Sequence, residues 1–82
     1  MPYIPQSTRE LLCHDRPYNT GELNYVISKA INDYLSQKTF NYEALNEVIG
    51  ALECAKLEIY RRLVAPYEDR KKLANGDVFD LE

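Results

Sequence analysis

Between Tyr60 and Lys72 the chain reads YRRLVAPYEDRKK, and half of its ten Lys and Arg residues stand in that window. Arg forks and Lys point charges are the side chains that hold phosphate oxygens. Tyr60 and Tyr67 add aromatic faces on which a nucleobase can stack. A helix restarted at Pro66 would open backbone donors, a natural seat for an anion. Arg61, Arg62, Arg70, Lys71 and Lys72, with Tyr60 and Tyr67, are therefore the candidate ligand-binding residues. The plain alternative is paired surface. Glu58 precedes Arg62 by four positions and Glu68 precedes Lys72 by four, the favourable order on a helix. On a straight helix the five cations spread around the axis, so symmetry between copies would have to gather them.

Other chemistry finds little support. His14, the single histidine, stands beside Asp15, and no nucleophile is placed to complete a triad. Cys13 and His14 do not make the tetrahedral set that zinc needs. Glu43, Glu47, Glu53 and Glu58 lack the Glu-x-x-His pattern of carboxylate metal bundles. Asn75-Gly76-Asp77 lacks the ligand ladder of a calcium loop. The expectation is a protein with no catalytic residues, no metal and no cofactor.

Composition narrows the partners. At 82 residues and a net charge of -3, the chain does not resemble a binder of polymeric nucleic acid, which is usually basic. It has neither a basic-then-apolar leader nor an apolar run near ~20 residues. A cytoplasmic protein without membrane attachment is expected. A chain this short is near the lower limit for a self-sufficient core. Its two cysteines are not a disulfide framework, and Cys54 reads as a small buried residue.

The elements that must position these residues are helices. Residues 1–6, with Pro2 and Pro5, form an extended arm. Ser7 and Glu10 fit a capping box for a short helix over about residues 8–14, stopped before Pro17. Asn19 and Glu22 form a weaker box for a second helix ending near Gln37 or Lys38. Leu23, Ile27, Ala30 and Tyr34 make its apolar stripe, with Ser28, Lys29, Asn32, Asp33 and Ser36 mostly opposite. Asn41 or Thr39 caps a third, longest helix from about Tyr42 to Val64. At Pro66 that helix either kinks or restarts with proline at its first position. Asn75-Gly76 signals the end, and residues 77–82 are an acidic tail.

The third helix is apolar on two sides. Leu45, Val48, Ile49, Leu52, Ile59 and Leu63 recur at helical spacing, and Gly50, Cys54, Leu57 and Val64 run beside them. So few other elements cannot cover both sides, and helices of other copies or of a partner should complete the core. Leu45, Ile49, Gly50, Leu52, Cys54 and Leu57 are the expected interface, with Gly50 admitting a closely packed helix. The plain alternative is that Gly50 is merely tolerated, at ~1 kcal/mol relative to Ala.

The opening MPYIPQ, the GELNY segment and the run LEIYRRLVAPYEDRKKLANGDV resemble a family of short proteins encoded by bacteriophages and prophages, catalogued as a domain of unknown function. The YRR-x3-PYED…NGDV signature is the specific part. The resemblance implies an accessory protein acting inside a bacterial host cell, and no activity or functional residues come with it. Some such accessory proteins sequester the nucleotide signals of bacterial immunity, an anti-defence role, and others inhibit a host enzyme.

The fold expected is all-α: one domain over 1–82, a helical hairpin with a short N-terminal helix and a Pro-kinked C-terminal helix, completed by homo-oligomerisation. The function expected is binding, with a small anionic or nucleotide signalling ligand held between subunits. The rival is an adaptor or inhibitor of a host protein, with no small-molecule ligand.

Overall fold

The computed structural model describes residues 1–13 and 15–81, and every regular element among them is helical. Helix α1 spans Gln6–Leu11, α2 Thr20–Leu35 and α3 Tyr42–Ile59. A π-helical turn, Tyr60–Val64, leads directly into α4, Ala65–Asn75. The chain divides into two compact units, Met1–Asn46 and Glu47–Glu82.

In the first unit, helix starts follow local chemistry. The Asn19 side chain accepts from the Glu22 amide at 2.9 Å, and its amide group donates to the Glu22 carboxylate at 3.1 Å. The same carboxylate accepts the Tyr18 amide at 2.9 Å, so three groups before and within the first turn of α2 are satisfied together. Asn41 does the same for α3, accepting the Ala44 amide at 2.9 Å.

The expected capping box at Ser7 does not form. Pro5 is the N-cap of α1, at φ -55° and ψ 146°, with no side-chain cap bond. Proline already holds the φ that leads into a helix, so the turn starts at Gln6 and Ser7 falls inside it. Helix α1 ends at Leu11, with Leu12 as C-cap, short of the expected residue 14, which lies outside the described residues.

The apolar stripe assigned to α2 is not the face its neighbours cover. Leu23, Ile27, Ala30 and Tyr34 are exposed, whereas Tyr25, Val26, Ser28, Ile31 and Leu35 are half-buried. Helix α1 packs against α2, and the arm lies over Gly21. A Cβ at Gly21 would stand 3.3 Å from Ile4 Cγ2 and 3.4 Å from the Met1 carbonyl oxygen. Glycine there lets the arm approach.

In the second unit the backbone stays helical through Pro66. The Ala65 amide bonds the Tyr60 carbonyl, an i→i+5 step, and Ile59, Val64 and Ala65 all keep right-handed helical dihedrals. Pro66 has no amide to give, and its ring crowds the carbonyl four residues back. A wider turn ahead of it removes that clash without breaking the helix. The helical backbone therefore runs on without a break, Pro66 standing in the first turn of α4 directly after the π turn, and no fresh helix N-terminus opens as an anion seat. Gly76, at φ +95°, closes α4, its amide bonding the Lys72 carbonyl at 2.9 Å.

Burial is sparse. Ala44 is the one buried residue among those described, at 4% exposure. Cys54, expected inside, is exposed, as is every residue from Ile49 to Val64. A single helix has no second element within its own unit against which to bury these side chains.

Candidate functional site

The basic window resolves into three groups along the second unit. Arg61 pairs with Glu58 at 2.8 Å, and Arg62 reaches the same carboxylate at 3.9 Å. Both pairs are exposed, where such contacts contribute ~0–1 kcal/mol. Arg62 also borders a shallow hollow with Glu58, Ile59 and Leu63. Further on, Arg70 and Lys71 stand over the Tyr67 ring, 5.8 and 5.7 Å from its centroid, within cation–π range.

The third group surrounds Tyr60. Eight residues of α-helix overshoot two full turns by about 80°, which would part Tyr60 from Glu68. The π turn winds less per residue and removes most of that lag. The Glu68 carboxylate's charge, then hydrogen bonding to it, thus hold the Tyr60 phenol above its ordinary pKa, with Asp69 adding to the effect. The chain turns back at Gly76, so Val78 and Phe79 face Tyr60, Lys71 and Lys72 across an open groove of about 610 Å³. Glu68, Asp69 and Asp77 line the same groove. Its charge is mixed rather than basic.

Among the described contacts and grooves, then, the seven expected ligand residues fall into three neighbourhoods. Lys71 and Lys72 join Tyr60; Arg70 and Lys71 join Tyr67; Arg61 and Arg62 share Glu58. The expected Glu68–Lys72 pairing gives way to Glu68 with Tyr60. Of the expected interface, Leu45, Ile49, Leu52, Cys54 and Leu57 are all exposed, and a Cβ at Gly50 would meet nothing within 4 Å beyond its own stretch of helix.

A second groove, of about 450 Å³, lies in the first unit, and the sequence had not marked it. Arg9 and Lys29 line it with Ser28 and Asn32, and Pro2, Tyr3 and Tyr25 form its walls. Arg9 is half-buried; its Nε donates to the Ile4 carbonyl at 3.0 Å and its guanidinium stands 5.3 Å from the Tyr25 centroid. Lys29 pairs with Asp33 at 3.1 Å, and that hydrogen bond and charge hold the ammonium above its ordinary pKa. Tyr25 precedes Ser28 and Lys29, and these precede Asn32, by helical steps of three and four residues. That pattern was the available signal; Ser28, Lys29 and Asn32 stand above only as residues opposite the apolar stripe.

A family model, described as Domain of unknown function (DUF6899), matches residues 1–78. The chain belongs to this family. The match takes in the N-terminal arm, all four α-helices and the Asn75-Gly76-Asp77-Val78 segment, so both grooves lie largely within the family's extent. No curated protein and no solved structure matches the chain. Among the described residues there is no cluster of three or more potential metal ligands, and no helix is long and apolar enough to cross a membrane.

Proposed function

We propose that this member of the DUF6899 family is a binding protein whose copies associate along α3, and whose assembly presents a small anionic ligand, a nucleotide signal in the leading case, to the basic window. The exposed apolar surface of α3 carries this reading: Ile49, Leu52, Leu57 and Ile59 face outward on a helix with nothing in its unit to cover them. Burying apolar surface stabilises by about 25 cal/mol per Å², and a chain this short has few other sources of stability. Association between copies also supplies what one chain lacks for anion binding, since symmetry would bring Arg61, Arg62, Arg70, Lys71 and Lys72 of different copies together. An accessory role in a phage or mobile element, acting in the bacterial cytoplasm, accords with this reading.

Isothermal titration with a panel of cyclic and linear nucleotides tests the ligand. At least one should bind, more weakly as salt rises. Arg62→Ala should weaken it by ~1.5–3 kcal/mol, about tenfold to a hundredfold, with the helical circular dichroism intact.

The mixed charge of the Tyr60 groove favours a second reading, a protein-contacting adaptor or host-enzyme inhibitor without a small ligand. Glu68, Asp69 and Asp77 there oppose an anion but suit a polypeptide surface of either sign. Failure of every nucleotide to bind, with Arg62→Ala changing stability by no more than ~0.5 kcal/mol, selects this reading.

A further inference from the structure

The groove of the first unit combines features that the basic window keeps apart. We propose that it is a binding site for a nucleoside phosphate, with Arg9 and Lys29 on the phosphate and the tyrosine walls against the base.

Three segments distant in sequence build it: the arm, α1 and α2. Its two cations come from different helices, so a ligand between them meets positive charge from both sides. Among the described residues Arg9 has no carboxylate partner. Its Nε is used by the Ile4 carbonyl, which fixes the side chain, and among the described residues its terminal N–H groups have no other hydrogen-bond partner. A guanidinium anchored in this way presents its fork without the loss of rotamer freedom that a free arginine suffers on binding. Lys29 gives one donor to Asp33 and keeps others for a ligand. Among the described residues no carboxylate lines the groove itself, in contrast to the Tyr60 groove. Its volume lies within the usual range for small-ligand pockets, ~300–1,000 Å³.

The remaining lining suits a base. Tyr3 and Tyr25 offer aromatic faces. The Ser28 hydroxyl donates to Asn24 at 3.1 Å, so toward the groove it is an acceptor, while the Asn32 amide brings both donors and an acceptor. Those are the complements of a nucleobase edge. The site stands in the first unit and does not depend on the basic window.

The test is calorimetric titration of the full chain with ADP, GDP, CDP and UDP, each beside its nucleoside. Saturable binding of at least one diphosphate is expected, with its nucleoside at least tenfold weaker and the affinity falling as salt rises. Lys29→Gln should lower the affinity about tenfold or more. Its ion pair with Asp33 is exposed, so the fold should be unaffected. Arg9→Gln should do the same, with circular dichroism to check that the arm's anchor is not lost. Lys56→Gln, at an exposed lysine that lines neither groove, should leave binding unchanged. The proposal is overturned if no diphosphate saturates, or if Lys29→Gln binds as tightly as the parent chain. Binding lost in Arg70→Ala but kept in Lys29→Gln would also overturn it and return the ligand to the basic window.

Discussion

Tyr60 is the residue whose behaviour is most unlike its surroundings, because a carboxylate eight positions away is its partner. Glu68 favours the neutral phenol, so Tyr60 should ionise above the ordinary tyrosine value in an absorbance titration. The linkage follows from the direction of the shift. Unfolded, the phenol ionises near pH 10; folded, it ionises higher. The stabilisation is therefore complete below about pH 10 and is lost as pH rises through the folded-state value. Tyr60→Phe should remove the late-ionising component and flatten the fall in melting temperature above pH 10. An unchanged titration curve in that variant would show that Glu68 does not hold the hydroxyl in solution. Lys29 has the same sign of shift for the same kind of reason, an exposed carboxylate partner on its own helix.

At the scale of elements, the π turn connects that phenol to Pro66. Pro66→Ala restores an amide and removes the ring that crowds the preceding turn. The segment should then wind as regular α-helix, parting Tyr60 from Glu68 by about 80° around the axis. Helical ellipticity and melting temperature should rise, since proline is up to ~3 kcal/mol poorer than alanine inside a helix. The late tyrosine titration should vanish in the same variant. A rise in stability with that titration preserved would mean that the turn does not depend on the proline.

The same segment shows what the sequence could and could not disclose. Asn19, Asn41 and Gly76 act within a few residues of themselves, and each helix end they mark was legible. Pro66 announced a disturbance, but not that a wider turn upstream would absorb it. Ser7 and Glu10 looked like the better cap, yet Pro5 set the start first. The Arg9–Lys29 groove was not legible. Its residues come from positions 2–3, 9 and 25–32, and it forms only because the arm crosses α2 at Gly21. The stripe at Leu23, Ile27, Ala30 and Tyr34 has the right period, but periodicity does not say which face a neighbour takes.

For the whole molecule the decisive quantity is what covers α3. By itself the chain buries one residue among those described, and a domain normally rests on many. If copies associate along α3, light scattering at micromolar concentration should give a dimer or larger, and the melting temperature should rise with protein concentration. Leu52→Asp should abolish association, because an unpaired carboxylate in an apolar interface is strongly unfavourable. Gly50 separates close packing from mere exposure. In the isolated chain its Cβ position is open, so Gly50→Ala should stabilise by up to ~1 kcal/mol through helix propensity alone. Where a second helix approaches there, added bulk should instead cost ~1–3 kcal/mol, so Gly50→Leu should lower both the melting temperature and the associated fraction. A monodisperse, stable monomer in which Gly50→Leu melts higher than the parent chain would refute assembly along this face.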